Sequence, residues 1–333
     1  MPVKQATRLA VAAVAAALFV TIGNAQSVKG SVALSGVPEG LAANFFTNKI
    51  YVAISSFGGP NDTLAVIDGK TDTVATTISI PPVGYQVAVN MLTDRIYVGG
   101  CFTDAGGNNN CEVAVVDGRH NKVLGVIPVT TTAGNGIQGL AVNPITDKLY
   151  VSNASDNVID VINRHGKITA TISLADQTPI GIAVNPFACR GGKIYVALAS
   201  GEVDLIDGKT NSITTTATVG TSNANVAVNW ATGNAFVTND VPGPSTVGVL
   251  DGDGNVLANV NVGNTPFGVD VDLGTNLAFV TNLGDGTLSV IDGKTNTVSA
   301  TLPVTGNFVA LNPLTEKVYV GGQDNEVIVI SEK

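Results

Sequence analysis

Seven copies of a short apolar segment of the Ile-Tyr-Val type recur along this chain of 333 residues. Successive copies are, by subtraction, 46, 53, 45, 41, 43 and 40 residues apart. A period of this length marks a structural unit that cannot bury its apolar faces alone and must stack against copies of itself. The sequence therefore predicts a repeat architecture, with one aromatic residue at the centre of each copy: Tyr51, Tyr97, Tyr150, Tyr195, Phe236, Phe279 and Tyr319.

The sixth copy shows what one unit contains. Four runs of β-forming residues alternate with clusters of Gly, Asn, Asp and Thr, at 268–272, 277–282, 287–292 and 298–304. The clusters between the runs are typical of tight hairpin turns. Four antiparallel strands every 40 or so residues is the pattern of a propeller blade, so we predict an all-β, seven-bladed β-propeller.

The seventh copy is one strand short. After Tyr319 the sequence has a single further β-forming run, at 326–330, and then stops where a fourth strand is due. Residues 28–34 match residues 298–304, the fourth strand of the sixth copy, in their pattern of apolar and hydroxyl side chains. We therefore expect the N-terminal strand to complete the seventh blade, which closes the ring and removes its free edges.

The first 25 residues are interpreted as a secretory signal. Lys4 and Arg8 precede an apolar run at 9–20, and small residues follow up to a predicted cleavage after Ala25. The run is too short to favour a membrane span, so residues 26–333 are predicted to form one exported domain that is periplasmic, secreted or cell-surface. Cleavage leaves 15 basic and 26 acidic residues, a formal charge of −11, which disfavours nonspecific binding to nucleic acid or anionic lipid.

The best-preserved copies resemble a known repeat. Residues 139–153 read GLAVNPITDKLYVSN, and residues 277–304 contain VIDGKTNTV between two further strands. These motifs are similar to the YVTN family of β-propeller repeats, and the resemblance covers essentially the whole mature chain. It implies an exported or cell-surface propeller, related in fold to lactonase-like and quinoprotein-like propellers whose chemistry need not be shared.

Most repeated polar residues have structural explanations. An Asn, or Asp272 in the sixth copy, ends each innermost strand and is expected to bond the backbone of the following turn. The turns from first to second strand and from third to fourth strand should share one face, here called the lower face. The other turns and the links between blades form the upper face. This assignment puts 13 basic residues on the lower face and 11 carboxylates on the upper face.

The upper mouth of the channel is the predicted binding site. The residue five positions before each strand-ending Asn or Asp should line it, and these residues differ between blades, as a specific pocket requires. Turns also favour Asp without any ligand, but the acidic upper face can attract a cationic ligand, a basic partner or a divalent cation such as calcium. The predicted lining residues are Glu39, Tyr85, Gln138, Ile180, Ala224, Phe267 and Asn307.

Asp270 breaks a rule of the repeat. Two residues before the strand-ending Asn or Asp, the other six copies have alanine. A carboxylate there is costly unless it has a partner, so it either faces the channel or is a tolerated, hydrated substitution. If the protein has catalytic residues, Glu39 and Asp270 are the candidates. The two histidines, His120 and His165, fall on the lower face, and common hydrolase motifs are missing from the sequence.

The cysteines give one local prediction. Cys101 and Cys111 bracket the long loop at 102–110 of the second blade, and in an exported protein they are expected to form a disulfide. Cys189, in an insertion on the lower face, is predicted to be free or to pair between chains.

Three functions follow from these observations. The first is a non-catalytic binding scaffold that uses the upper mouth and loops, with an unidentified protein or small-molecule partner and no required cofactor. The second is a lactonase-like or metal-assisted hydrolase centred on the channel, and the third is a cell-surface structural or adhesion module. Aromatic residues are only 5% of the chain, with a single tryptophan, which argues against a stacking platform for single-stranded nucleic acid.

Overall fold

The computed structural model describes residues 26–55, 61–104, 106–129, 136–241 and 245–332. The predicted signal, residues 1–25, lies outside these ranges. The described residues form seven four-stranded antiparallel sheets, and the innermost strands of neighbouring sheets contact one another around a closed ring. The chain is therefore the seven-bladed β-propeller that the repeat predicts. No helix in the described part of the chain is long and apolar enough to cross a bilayer.

The strands are numbered in chain order, and each blade is given from its innermost to its outermost strand. Blades one to three consist of β2 Pro38–Asn44, β3 Lys49–Ile54, β4 Asp62–Asp68 and β5 Thr73–Ile80; β6 Gln86–Asn90, β7 Arg95–Thr103, β8 Asn109–Asp117 and β9 Lys122–Val129; and β10 Ile137–Asn143, β11 Lys148–Asn153, β12 Val158–Ile162 and β13 Ile168–Ser173.

Blades four to six follow the same order. They consist of β14 Pro179–Asn185, β15 Lys193–Leu198, β16 Glu202–Asp207 and β17 Ser212–Thr218; β18 Asn223–Val228, β19 Ala235–Asn239, β20 Thr246–Leu250 and β21 Val256–Asn261; and β22 Pro266–Val271, β23 Leu277–Asn282, β24 Thr287–Asp292 and β25 Thr297–Leu302.

The seventh blade contains strands from both ends of the described chain. It consists of β26 Val309–Asn312, β27 Lys317–Gly321, β28 Glu326–Ser331 and, outermost, β1 Ser27–Ala33. β1 pairs antiparallel with β28, from Ser27 opposite Ser331 to Ala33 opposite Glu326. The predicted closure by the N-terminal strand is confirmed.

The repeated aromatic residues hold neighbouring blades together. All seven are at most 2% exposed, and each packs into a cluster that includes side chains of the following blade. Tyr150 of blade three, for example, packs with Ile182 and Ile194 of blade four. Because each ring fills the space between two sheets, a blade lacks part of its core without its neighbour.

Polar contacts on the lower face repeat this pattern. Lys148 donates to the carbonyl of Gly208 in the next blade at 2.7 Å, and Lys317 donates to Gly69 at 2.8 Å across the point of closure. The backbone N–H of Gly69 also donates to the carbonyl of Asn48 at 2.9 Å, which joins the two kinds of turn. The predicted arrangement of turns on the lower face is confirmed.

The strand-ending Asn residues have two roles, of which the sequence predicted one. The Asn90 Oδ1 accepts from the backbone N–H of Leu92 at 3.0 Å, as expected for an Asx-turn. Its Nδ2 also donates to Asp147 of the next blade at 2.6 Å. Asn44, Asn229 and Asn312 make the same kind of side-chain link, so these amides join blades as well as ending strands.

Candidate functional site

A cavity of about 280 Å³ occupies the half of the central channel nearer the lower face. Its walls are the last residues of the innermost strands, such as Val87 and Leu140, and its mouth is formed by residues just beyond the strand ends. Among the described residues that line it, Asp270 is the one ionisable side chain. The side chains of this cavity, here called the apolar chamber, are thus apolar except for a single carboxyl group, and its mouth contains Phe45, Met91, Trp230, Leu273 and Pro313.

The register explains why Asp270 reaches this chamber. In six blades an alanine of the innermost strand lies opposite the blade's aromatic residue, as Ala88 lies opposite Tyr97. Asp270 lies opposite Phe279 at the same point of blade six. The expectation that this position can face the channel is consistent with its place in the cavity wall.

Asp270 also joins two blades. Its Oδ1 accepts from the backbone N–H of Val271 at 2.8 Å, and its Oδ2 accepts from the N–H of Leu311, in blade seven, at 2.9 Å. Burial raises the pKa of this carboxyl to about 7, against the lowering effect of the two hydrogen bonds, and the charge of Asp272 adds to the rise. Asp270 is therefore both a bridge between innermost strands and a group that titrates near neutrality.

Two further carboxyl groups lie beside this bridge. Asp272 replaces the strand-ending Asn, and its Oδ1 accepts from the N–H groups of Gly274 and Thr275 at 2.7 and 2.6 Å. Unlike Asn, it has no N–H to offer the next blade. The buried Glu332 lies close to it, and burial, followed by the charge of Asp272, raises the pKa of Glu332 to about 8. A protonated Glu332 can supply the donor that Asp272 lacks.

The sequence did not indicate Glu332, because this residue lies beyond the last repeated strand and has no counterpart in other copies. The residues at the mouth of the cavity were also missed. They could have been found by comparing the copies at the position that follows each strand-ending Asn or Asp, where four of seven residues are large and apolar: Phe45, Met91, Trp230 and Leu273.

The predicted upper-mouth residues lie side by side along the ring, at or just before the start of each innermost strand. A Cβ on Gly40, beside Glu39, would lie 2.2 Å from the carbonyl oxygen of Tyr85, and one on Gly139, beside Gln138, would lie 2.6 Å from that of Ile180. The remaining predicted residues occupy similar places: Phe267 makes an edge contact with Phe308 at 5.5 Å, Asn307 lies against Gly268, and Ala224 is buried.

Glu39 and Asp270 belong to different parts of the channel. Burial and, to a lesser degree, the charge of Asp62 raise the pKa of Glu39 near the upper end of β2. Glu39 is not among the described residues that line the apolar cavity, whereas Asp270 is. Glu39 and Asp270 therefore have different neighbours.

Several upper-face acids accept hydrogen bonds within or between the loops of this face. Asp62 accepts from the N–H of Gly84 at 2.7 Å, and Asp285 accepts from the backbone and side chain of Asn264, both at 2.7 Å. Hydrogen bonds, above all from Asn108, hold the pKa of Asp104 at about 2. Within the described ranges no group of three His, Cys, Asp or Glu side chains is placed to hold a metal ion.

A groove of about 380 Å³ lies on the upper face between blades one and two. Tyr85, which is 38% exposed, lines it together with Asp62 and with Phe102 of the long hairpin. Cys101 and Cys111 face each other across β7 and β8 and form the predicted disulfide, which ties this hairpin at the wall of the groove.

Cys189 is free, and its Sγ lies 3.1 Å from the carbonyl oxygen of Gly192. Burial and the nearby charge of Asp207 raise the pKa of its thiol, which disfavours the reactive thiolate. The prediction that this cysteine is unpaired within the chain is confirmed; pairing between chains stays a prediction.

The fold and these sites define the class of protein: a closed seven-bladed β-propeller with an apolar channel chamber and a groove on the opposite face. A chain of hydrazine synthase from Kuenenia stuttgartiensis is similar in structure, with a TM-score of 0.74 at 18% sequence identity, over 89% of this chain and 95% of that one. At this identity the likeness shows the fold alone. No protein-family model and no curated protein matches the chain, so the resemblance to YVTN repeats rests on the sequence motifs.

Proposed function

We propose that the protein is an exported, non-catalytic binding scaffold that engages a ligand or partner through its upper mouth and loops. The observation that supports this most is the groove between blades one and two. It brings an exposed aromatic ring, Tyr85, beside Phe102, at a hairpin that a disulfide restrains. Exposed aromatic residues in a restrained setting bury large area on binding at a small loss of conformational freedom.

Export is part of the same proposal. A disulfide between Cys101 and Cys111 is typical of proteins in an oxidising compartment, and the predicted signal at residues 1–25 agrees with it. The groove is unique to one pair of blades because the long hairpin of β7 and β8 has no equal in the other described blades. A single asymmetric site on a symmetric ring suits one specific partner.

The experiment is site-specific photo-crosslinking in the native host. A photoreactive phenylalanine analogue is placed at position 85 and, as a control, at Leu257, which is exposed on an outermost strand. We expect a discrete crosslinked product at position 85 that is lost when Phe102→Ala is added. Equal products at both positions, or none at position 85, would overturn the proposal.

One observation favours the hydrolase as a second candidate. Asp270, with a pKa of about 7 in an apolar chamber, has the property expected of a general acid or base at neutral pH. Hydrolysis of a lactone panel that is abolished by Asp270→Asn and insensitive to Tyr85→Ala would favour this reading over the scaffold.

A further inference from the structure

An arc of exposed apolar side chains borders the channel mouth on the lower face. Its members lie two residues after the strand-ending Asn in five blades, and they are between 53% and 66% exposed. Blades seven, one, two, three and four are neighbours in the ring, so the five side chains follow one another at equivalent positions. We call them the lower-face collar: Phe46, Leu92, Ile145, Phe187 and Leu314.

The turn itself does not require these side chains. The Asn Oδ1 accepts from the backbone N–H at this position, as from Phe46 at 3.1 Å and Ile145 at 2.9 Å, and the side chain takes no part. Blades five and six form the equivalent turn with Ala231 and Gly274. Since small residues suffice, the apolar identity in five blades needs another reason.

The arc extends beyond these five positions. Trp230 of blade five meets Phe187 edge to face, with ring centroids 6.0 Å apart, and lines the mouth of the chamber. Contiguous exposed apolar surface of this kind marks an interaction site, whereas scattered apolar residues do not.

Exposed basic residues on the lower-face turns of blades one, two, three, four and six, here called the basic rim, lie around the collar. The acids of the turns from third to fourth strand accept backbone N–H groups, as Asp68 does from Lys70 at 2.8 Å and Asp292 from Lys294 at 2.8 Å. Among the described residues of the lower face, Asp253 is the one acid classed as exposed. The exposed basic residues of the same face number eight: Lys70, Arg119, Lys122, Arg164, Lys167, Arg190, Lys209 and Lys294.

We propose that the lower face docks on an anionic phospholipid bilayer. The collar would enter the boundary between headgroups and acyl chains, and the basic rim would lie against the phosphates. Interfacial binding generally combines apolar insertion with electrostatic attraction in this way. A plane fits this surface because equivalent positions of a closed ring lie at one height. The acidic upper face is repelled by the same lipid, so the charge asymmetry orients the protein with its upper groove away from the membrane.

The formal charge of −11 disfavours binding of the chain as a whole to anionic lipid, but the fold distributes this charge unevenly between its two faces. Nearly all basic residues of the mature chain lie on the lower face, where they offset the acids of that face, so the net negative charge lies mainly on the upper face. The electrostatic potential decays within a Debye length of about 8 Å at physiological salt. A membrane near the lower face therefore meets the basic rim first. This inference is independent of the upper-face scaffold proposed above.

The experiment measures co-sedimentation with vesicles of phosphatidylcholine alone and with about one-third phosphatidylglycerol. The protein is recovered after export and its N terminus is sequenced, because the apolar run at 9–20 would itself bind lipid. The collar variant is Leu92→Gln with Leu314→Gln. Its matched control is Leu124→Gln with Leu257→Gln, which removes leucines of comparable exposure, 53% and 48% against 54% and 66%, from outermost strands.

We expect binding to the anionic vesicles only, a loss of at least about tenfold in the collar variant, and a change within about twofold in the control. Lys70→Gln, Lys209→Gln and Lys294→Gln should each weaken binding by about fivefold, an effect that added salt removes. Thermal unfolding checks that the variants are folded.

Absence of binding, equal binding to neutral vesicles, or an equal loss in the control would overturn the proposal. So would a collar-dependent complex with a protein that forms without lipid, since the collar would then be a protein interface.

Discussion

Replacing Asp270 with alanine, the residue of the other six blades, should change the pH dependence of stability. In the folded protein burial raises the pKa of this carboxyl from 3.8 to about 7. Below pH of about 4 the group is neutral in both the folded and the unfolded chain, and no cost arises. Between pH 4 and pH 7 the carboxyl group is ionised in the unfolded chain but mostly protonated in the folded one, so the unfolding free energy falls as the pH rises. Above pH 7 this decrease is complete.

The magnitude follows from the size of the shift. Three pH units at 1.36 kcal/mol each correspond to about 4 kcal/mol, which we reduce to about 2 kcal/mol because the side chain partly faces the channel. Asp270→Ala also loses the bonds to Val271 and Leu311, at about 1 kcal/mol each, a loss that is present at every pH. The unfolding free energy of the variant, relative to that of the parent, should therefore be about 2 kcal/mol higher at pH 8 than at pH 4. For a domain of this size, that is about 3 °C in Tm.

The assay is urea unfolding at pH 4 and pH 8, followed by fluorescence of Trp230, the only tryptophan of the chain. Because Asp270 contributes to the raised pKa of Glu332, the comparison is repeated in a Glu332→Gln background. Asp176→Ala, which removes an exposed acid from a link between blades, is the control and should behave alike at both pH values. A parent-to-variant difference that is constant between pH 4 and pH 8 would refute the reasoning.

Two further predictions concern stability. Cys101→Ser with Cys111→Ser should lower the unfolding free energy by about 2–3 kcal/mol, since the disulfide closes a loop of 10 residues; Cys189→Ser should change it little, and equal effects in thermal unfolding would contradict this. Val32→Ala should cost about 2 kcal/mol because this side chain of β1 is buried against blade one. Val28→Ala, in the same strand but 48% exposed, should cost under about 0.5 kcal/mol, and a similar cost at both positions would mean that β1 does not close the ring.

Much of the fold could be predicted because its signals are local. The alternation of strand and turn residues repeats every 40 or so positions, and the pattern of residues 28–34 identifies the closing strand without reference to its partner β28. The disulfide followed from two cysteines that flank one hairpin. The candidate site was less predictable: Asp270 stood out against six alanines, but neither its bond to Leu311 nor its neighbour Glu332 is encoded nearby in the sequence.

By itself, the sequence determined the blade count, the point of closure and the positions that differ between copies, since each of these is a comparison within or between repeats. Only the tertiary structure decided which residues meet. Closing the ring joins Asn312 to Asn48, brings Glu332 to Asp272, and places five exposed apolar side chains from distant turns in one arc. The physical reason is that a blade's neighbours lie about one repeat away, so contacts between blades depend on ring geometry that no local pattern specifies.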